Sequence, residues 1–185
     1  MVGVILFRAQ PFHNGHLHMV KRALEDCMSI GARLHIFIGS ADKSGTKRNP
    51  LPIEERMDLV MHSISEEFSQ AEINNIRVWE LNDLSDEANN TYSWGKYLYD
   101  EILYRTQDDN LMFFYSDRPE IMLSWFDPSI RNNIFFKFLE RHNGFNATGV
   151  RIAIKYNDDK KLKDALPPYV YRNIDQIRLY IINAK

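Results

Sequence analysis

The stretch PFHNGHLHMV, residues 11–20, sets His13, His16 and His18 close together behind the apolar run VGVILF and the cation Arg8. Imidazoles so placed can ligate a metal, sit as solvated loop side chains, or donate hydrogen bonds to an anion. A zinc site would use His13 and His16 with a third ligand and a catalytic glutamate. Neither partner is evident, and the HExxH pattern is absent. The anion reading draws on Gly15, which lets backbone approach a bound group. It also draws on His16, expected to begin a helix, where the amide and the dipole both favour negative charge. With Arg8 beside them, His13 and His16 suit phosphate oxygens. His18 is expected to point away from His16 along that helix and reads as structural.

A second candidate is GFNATGVR, residues 144–151. Asn146 or Thr148 can cap a helix whose first amides are then free for an anion, with Arg151 following about one turn later. Near the first candidate, such a site would complete a two-sided clamp on a polyphosphate. By contrast, GSADKSGTK only looks like a phosphate loop. Its glycines are too far apart for GxxxxGK[ST], and Thr46 stands where the lysine belongs. Neither GxGxxG nor the GxSxG elbow of Ser/His/Asp hydrolases occurs.

These residues need elements to hold them. VGVILF is continuously apolar, the pattern of a strand buried on both faces of a parallel sheet. A helix is expected over residues 16–31, where Leu17, Val20, Leu24, Cys27 and Met28 recur at helical spacing and Gly31 can close the end. Strand LHIFIG, helix 51–68, strand IRVWEL, helix 93–105, strand LMFFYS, a short helix 118–126 and strand NIFFKFL follow in alternation. Residues 148–156 and 167–182 read as helices, although VRIAIKY alternates enough to pass for a strand. NDDKKLKD reads as a solvated charge run. Strands separated by helices imply βαβ units and one α/β domain over residues 1–185, a doubly wound, mostly parallel sheet with C-terminal helices. In such sheets ligands bind beyond the carboxyl ends of the strands. That selects residues 7–16, 39–49, 82–94, 115–119 and 144–151.

Composition narrows the function classes. The chain has 185 residues, 44% hydrophobic and 26% charged, with a formal net charge of −2. Nothing in that balance argues for a nucleic-acid or membrane partner. The single cysteine, Cys27, excludes an intramolecular disulfide framework and any multi-cysteine metal site. The N-terminal apolar run is shorter than a signal core or a membrane span, so a cytoplasmic location is expected. Oligomeric state is left open, a homo-oligomer included.

The pattern resembles a known family. HNGH matches the HxGH signature of the nucleotidyltransferase superfamily, and FRAQPFHNGHLHMVKRAL is similar to GRFQPFHxGHLxxI of archaeal-type nicotinamide mononucleotide (NMN) adenylyltransferases. IGSADKSGTKRNPLPIEERMDLV is similar to that family's IGSAxxSxTxxNPFTxxERxxMI. FYSDRP falls where the family has a strand and SGNP, and FNATGVR where it has ISGTxIR. Trp94 corresponds in place to a tryptophan that holds the nicotinamide ring. The resemblance spans residues 2–151 and implies a Rossmann-like nucleotidyltransferase fold. The implied reaction transfers AMP from ATP, carried with Mg²⁺, to NMN, giving NAD and pyrophosphate. It implies catalytic roles for Arg8, His13 and His16. ATP contacts would come from Phe7, Arg8, His13, Gly15, His16, Ser116, Asn146, Thr148 and Arg151. Acceptor contacts would come from Ser40, Asn49, Arg56 and Trp94, and no residue is implied as a resident metal ligand. The sequence departs from the pattern at Phe7 and Ala9, at Asp117 and Arg118, and at Asn146 and Ala147. The alternatives are another phosphorylated acceptor (FMN, phosphopantetheine, or an alcohol phosphate with CTP) or a non-catalytic nucleotide sensor.

Overall fold

The computed structural model describes residues 1–84 and 91–185, apart from the side chain of Ile121. Residues 85–90, inside the expected ligand-facing segment 82–94, lie outside the described residues. Five strands, β1 (Val2–Phe7), β2 (Arg33–Ile38), β3 (Ile76–Glu80), β4 (Leu111–Tyr115) and β5 (Ile134–Phe138), form a sheet in the order β3-β2-β1-β4-β5. Every pairing is parallel. The order reverses between β1 and β4, which makes the carboxyl ends of these two strands the topological switch point. Pairing of β1 with β2 runs on to Phe7↔Ile38, whereas pairing with β4 stops at Ile5↔Phe114. Beyond Ile5 the two strands part, and that parting opens the crevice that the site occupies.

The unbroken apolar run of β1 has the expected cause: both faces of the sheet are covered. Ile5 and Phe7 join a core with α1 (Asn14–Ser29), α2 (Ile53–Glu67) and the C-terminal helices, while Val2 and Val4 pack with α4 (Thr91–Thr106). Helix α1 begins two residues before His16, which therefore occupies its first turn rather than its first position. Gly31, at φ +69, follows the last cap residue, Ile30, in the conformation that glycine adopts most readily. Between α2 and β3 lies a short helix, α3 (Gln70–Ile73), capped by Ser69, which was not anticipated.

The segment around residues 118–126 supplies α5 (Pro119–Leu123), and α6 (Pro128–Arg131) follows under an Asp127 cap. VRIAIKY is helical: α7 (Ala147–Lys155) buries Val150, Ala153 and Ile154 and leaves Ile152 exposed, which resolves the apparent alternation. The charge run is not merely solvated. It forms α8 (Asp159–Ala165), capped by Asp158, with Leu162 and Ala165 buried against the core. The expected helix 167–182 is two, α9 (Pro168–Arg172) and α10 (Ile174–Asn183), which meet at Asn173. Among the described residues, no helix is long and apolar enough to cross a membrane.

Candidate active site

Backbone capping by the histidines themselves defines the centre of the site. His13 caps α1, and its ring Nδ1 accepts from the Gly15 amide at 3.1 Å. The ring of His16 reaches back, its Nδ1 accepting from the His13 amide at 3.3 Å. This reciprocal pair takes the place that Ser and Glu hold in an ordinary capping box. Its chemical consequence is the tautomer: with both Nδ1 atoms accepting, each neutral ring carries its proton on Nε2. The rings lie 3.7 Å apart at 24°. His16 also packs against Phe7 at 4.7 Å and Phe12 at 5.6 Å.

Burial pushes the His13 pKa down to about 4, with the charge of Arg141 adding to the effect. Burial, then His13, holds His16 well below the usual histidine range. Both are therefore uncharged donors near neutral pH. A Cβ at Gly15 would sit 3.0 Å from two atoms of the His13 ring, so any larger residue there would press on that ring.

The pair opens onto a cleft of about 200 Å³, lined by Gly15, Met19, Ser116, Phe145, Asn146 and the run Glu140–His142. Asn146 caps α7, its Oδ1 accepting from the Gly149 amide at 2.8 Å. Ala147, the first residue of the helix, lines the same space, and a helix start is where unpaired backbone amides lie. Of the two caps anticipated, it is Asn146. Ser116 closes the β4 side, and its carbonyl accepts from Arg141 Nε at 2.9 Å.

Three cations gather beside the histidines. Arg151 donates from Nη1 to the carbonyl of Gln10 at 2.8 Å and from Nη2 to Thr148 Oγ1 at 3.3 Å. Gln10 is itself fixed, exchanging hydrogen bonds with the backbone of Leu51. The Arg8 pKa is lowered by burial and by the like charges of Arg48 and Arg151, with Asp83 acting in the other direction. Like charges held together in this way favour an anion among them.

Other expected site residues fall elsewhere. Phe7 is the last residue of β1, and its ring is buried against His16. Arg56 is a correction. It is 0% exposed and donates to the carbonyls of Arg8 at 3.1 Å, Gly39 at 2.8 Å and Ser40 at 2.9 Å. It therefore ties the ends of β1 and β2 together from below and presents no guanidinium face to an acceptor. Ser40, at φ +52, is buried with its Oγ donating to Asp83 at 3.0 Å. Asn49 is also buried, and its Oδ1 has no partner among the described residues. Trp94 is half-buried on α4, 5.7 Å from Tyr97, and does not line the histidine cleft. His18 stacks on His142 at 4.7 Å, also outside the cleft lining.

Glu140, Arg141 and His142 were not anticipated. They follow Leu139 at the carboxyl end of β5. The rule that selected residues 115–119 beyond β4 would have selected them too.

Comparison with known proteins places this arrangement. A stretch of 64 residues is 42% identical to the nicotinamide-nucleotide adenylyltransferase of Halorubrum lacusprofundi, covering 35% of this chain and 34% of that protein. The match thus spans about a third of that relative's length. The structure superposes on a bifunctional NMN adenylyltransferase/ADP-ribose pyrophosphatase from Francisella tularensis, complexed with AMP and a manganese ion, with a TM-score of 0.72 at 17% identity. That superposition covers 98% of this chain and 51% of the other. It superposes on the nicotinic acid mononucleotide adenylyltransferase of Plasmodium falciparum with a TM-score of 0.60 at 15% identity, over 97% and 96% of the two chains. At such identities the structural likeness establishes the shared fold. The cytidylyltransferase-like family matches residues 8–148, most of the chain and all of the histidine site. With HNGH at the start of α1, the chain belongs to that family, within the HxGH nucleotidyltransferases.

Proposed function

We propose that the protein transfers the adenylyl group of ATP to the 5′-phosphate of NMN, giving NAD and pyrophosphate. The observation that carries this reading is the stacked pair His13–His16, two neutral rings whose capping bonds leave both Nε2–H groups free to donate. The acceptor phosphate is already a nucleophile, so the site needs no general base. One of its oxygens attacks the α-phosphorus, the bond from that phosphorus to the β-phosphate oxygen breaks, and pyrophosphate leaves with the electron pair. Such a reaction is governed by placement and charge neutralisation.

The Nε2–H donors meet the charge that builds on the phosphoryl oxygens. Arg8, Arg48 and Arg151 hold the outer phosphates, and the first turn of α7 adds its amides. Mg²⁺ enters with ATP as part of the substrate. Among the described residues, no three His, Cys, Asp or Glu side chains come together to hold a metal ion. Trp94, with Tyr97 beside it, stacks on the cationic pyridinium of the acceptor.

The test is turnover with Mg²⁺–ATP against a panel of NMN, its deamidated form, FMN and phosphopantetheine, with CTP as the alternative donor. NAD is expected as the favoured product. Tight ATP binding with no dinucleotide from any acceptor would refute the enzymatic reading. His16→Ala should lower turnover by about 10²–10³-fold with little change in ATP affinity. An unchanged rate would remove the role assigned to the ring.

A further inference from the structure

Among the side chains lining the cleft, Glu140 is the one carboxylate, and among the described residues it has neither a hydrogen bond nor an ion pair. Its neighbours are engaged. Arg141 donates to the Ser116 carbonyl and pairs with Asp117 at 3.3 Å, and His142 stacks on His18. An open carboxylate in a site built for a polyanion is unfavourable unless it faces a part of the ligand that donates. The layout supplies that part. Arg8, Arg48 and Arg151 lie close to one another outside the cleft lining, with Arg151 donating to the carbonyl of Gln10, three residues before His13. A nucleotide held by those cations runs across His13 and His16 and puts its base into the cleft. There Met19 and Phe145 offer apolar walls to a flat ring.

We propose that Glu140 accepts a hydrogen bond from the exocyclic amino group of that base, and so selects adenine over its 6-keto counterpart, hypoxanthine. The inference rests on the cleft being the nucleotide site, though not on the identity of the acceptor. Replacing the amino group by a carbonyl sets an uncharged acceptor against a charged one, and the hydrogen bond at that position is lost. Sites built around such a bond reject the wrong partner strongly.

The experiment measures equilibrium binding of ATP and inosine triphosphate, each with Mg²⁺, to the full chain, with no acceptor present. The wild-type protein is expected to bind ATP about 100-fold more tightly. Glu140→Ala should bring that ratio below about 10-fold. Glu140→Gln, whose amide can donate to a keto oxygen, should bring it near unity. Because the readout is a ratio within each variant, a general loss of folded protein does not imitate the result. A ratio unchanged in both variants would overturn the proposal. So would an equal weakening of both nucleotides together with a raised Mg²⁺ requirement, which would place Glu140 on the metal. Wild-type binding of both nucleotides with equal affinity would overturn this inference alone. Binding of neither would overturn the nucleotide reading and this inference with it.

Discussion

Replacing Arg56 by methionine should destabilise the fold before it affects any ligand. The guanidinium is 0% exposed and donates at 2.8–3.1 Å to the carbonyls of Arg8, Gly39 and Ser40, of which that of Ser40 has a second donor, the Lys43 amide at 3.1 Å. A fourth contact, Nε to the Pro52 carbonyl at 3.4 Å, is longer and weaker. Methionine fills most of the volume and supplies no donor. The carbonyls of Arg8 and Gly39, left dry, cost about 1–2 kcal/mol each, so the two together approach about 2–4 kcal/mol. Relief from burying a charge offsets part of this, since desolvation holds the Arg56 pKa down to about 10. A net loss of about 2–3 kcal/mol is expected, a substantial share of the roughly 5–15 kcal/mol that holds a typical domain folded. Urea unfolding followed by circular dichroism measures it. With a slope of about 2 kcal/mol/M, the midpoint should fall by about 1–1.5 M at unchanged slope. Arg56→Lys, which keeps the charge but not the fork, should fall between. If the methionine variant unfolds within about 1 kcal/mol of wild type and only the acceptor KM rises, the guanidinium reaches the ligand after all, and the structural reasoning fails.

Two further outcomes follow from packing and protonation. His13 and His35 are pushed down to about 4 and His16 well below its usual range, chiefly by burial. Between about pH 6.5 and 4 the unfolded chain therefore binds protons that the folded chain refuses; this stability is complete above about pH 6.5 and falls toward pH 4, by up to about 1.4 kcal/mol per pH unit for each histidine. Urea midpoints at pH 7, 6 and 5 should decline in that order, and a rise toward acid would contradict the burial argument. Gly95→Ala places a Cβ 1.8 Å from the backbone carbonyl oxygen of Trp125, so a loss of about 2–4 kcal/mol is expected in thermal melts. The same variant should raise the acceptor KM by displacing Trp94 on α4, while ATP binding stays near wild type; an unchanged melting temperature would show that α4 is free to move.

The strands and the histidine loop were legible because their signals are local. An apolar run without alternation, such as VGVILF, has few uses outside a strand covered on both faces. HNGH contains in four residues the cap, the reaching-back ring and the glycine that lets them meet. What was not legible arises from partners distant in sequence. NDDKKLKD looks solvated because six of its eight side chains are charged, and only the core above Leu162 makes it a helix. The break of 167–182 at Asn173 has no proline or glycine to announce it.

Charge shows the same limit in the site, in both directions. The family resemblance implied an acceptor contact for Arg56, on the helix that follows a ligand-facing loop. Its side chain instead leaves the α2 helix inward, where Gly39 and Ser40 end a strand with carbonyls that no ladder satisfies. Glu140 and Arg141 were passed over because ERH at the end of a strand resembles ordinary surface. They become site residues only because β5 lies beside β4, and β4 parts from β1 at the switch point. Strand order is a long-range property: the strand-end rule reaches these residues as a ligand-facing segment, and the order sets them opposite the histidines. The cleft's two walls therefore differ in kind. The capping bonds of the histidine wall are encoded in one turn of one helix. The Glu140–His142 wall depends on the register Tyr115↔Phe138, and a slip of one residue there would turn Glu140 out of the cleft while leaving the histidines in place.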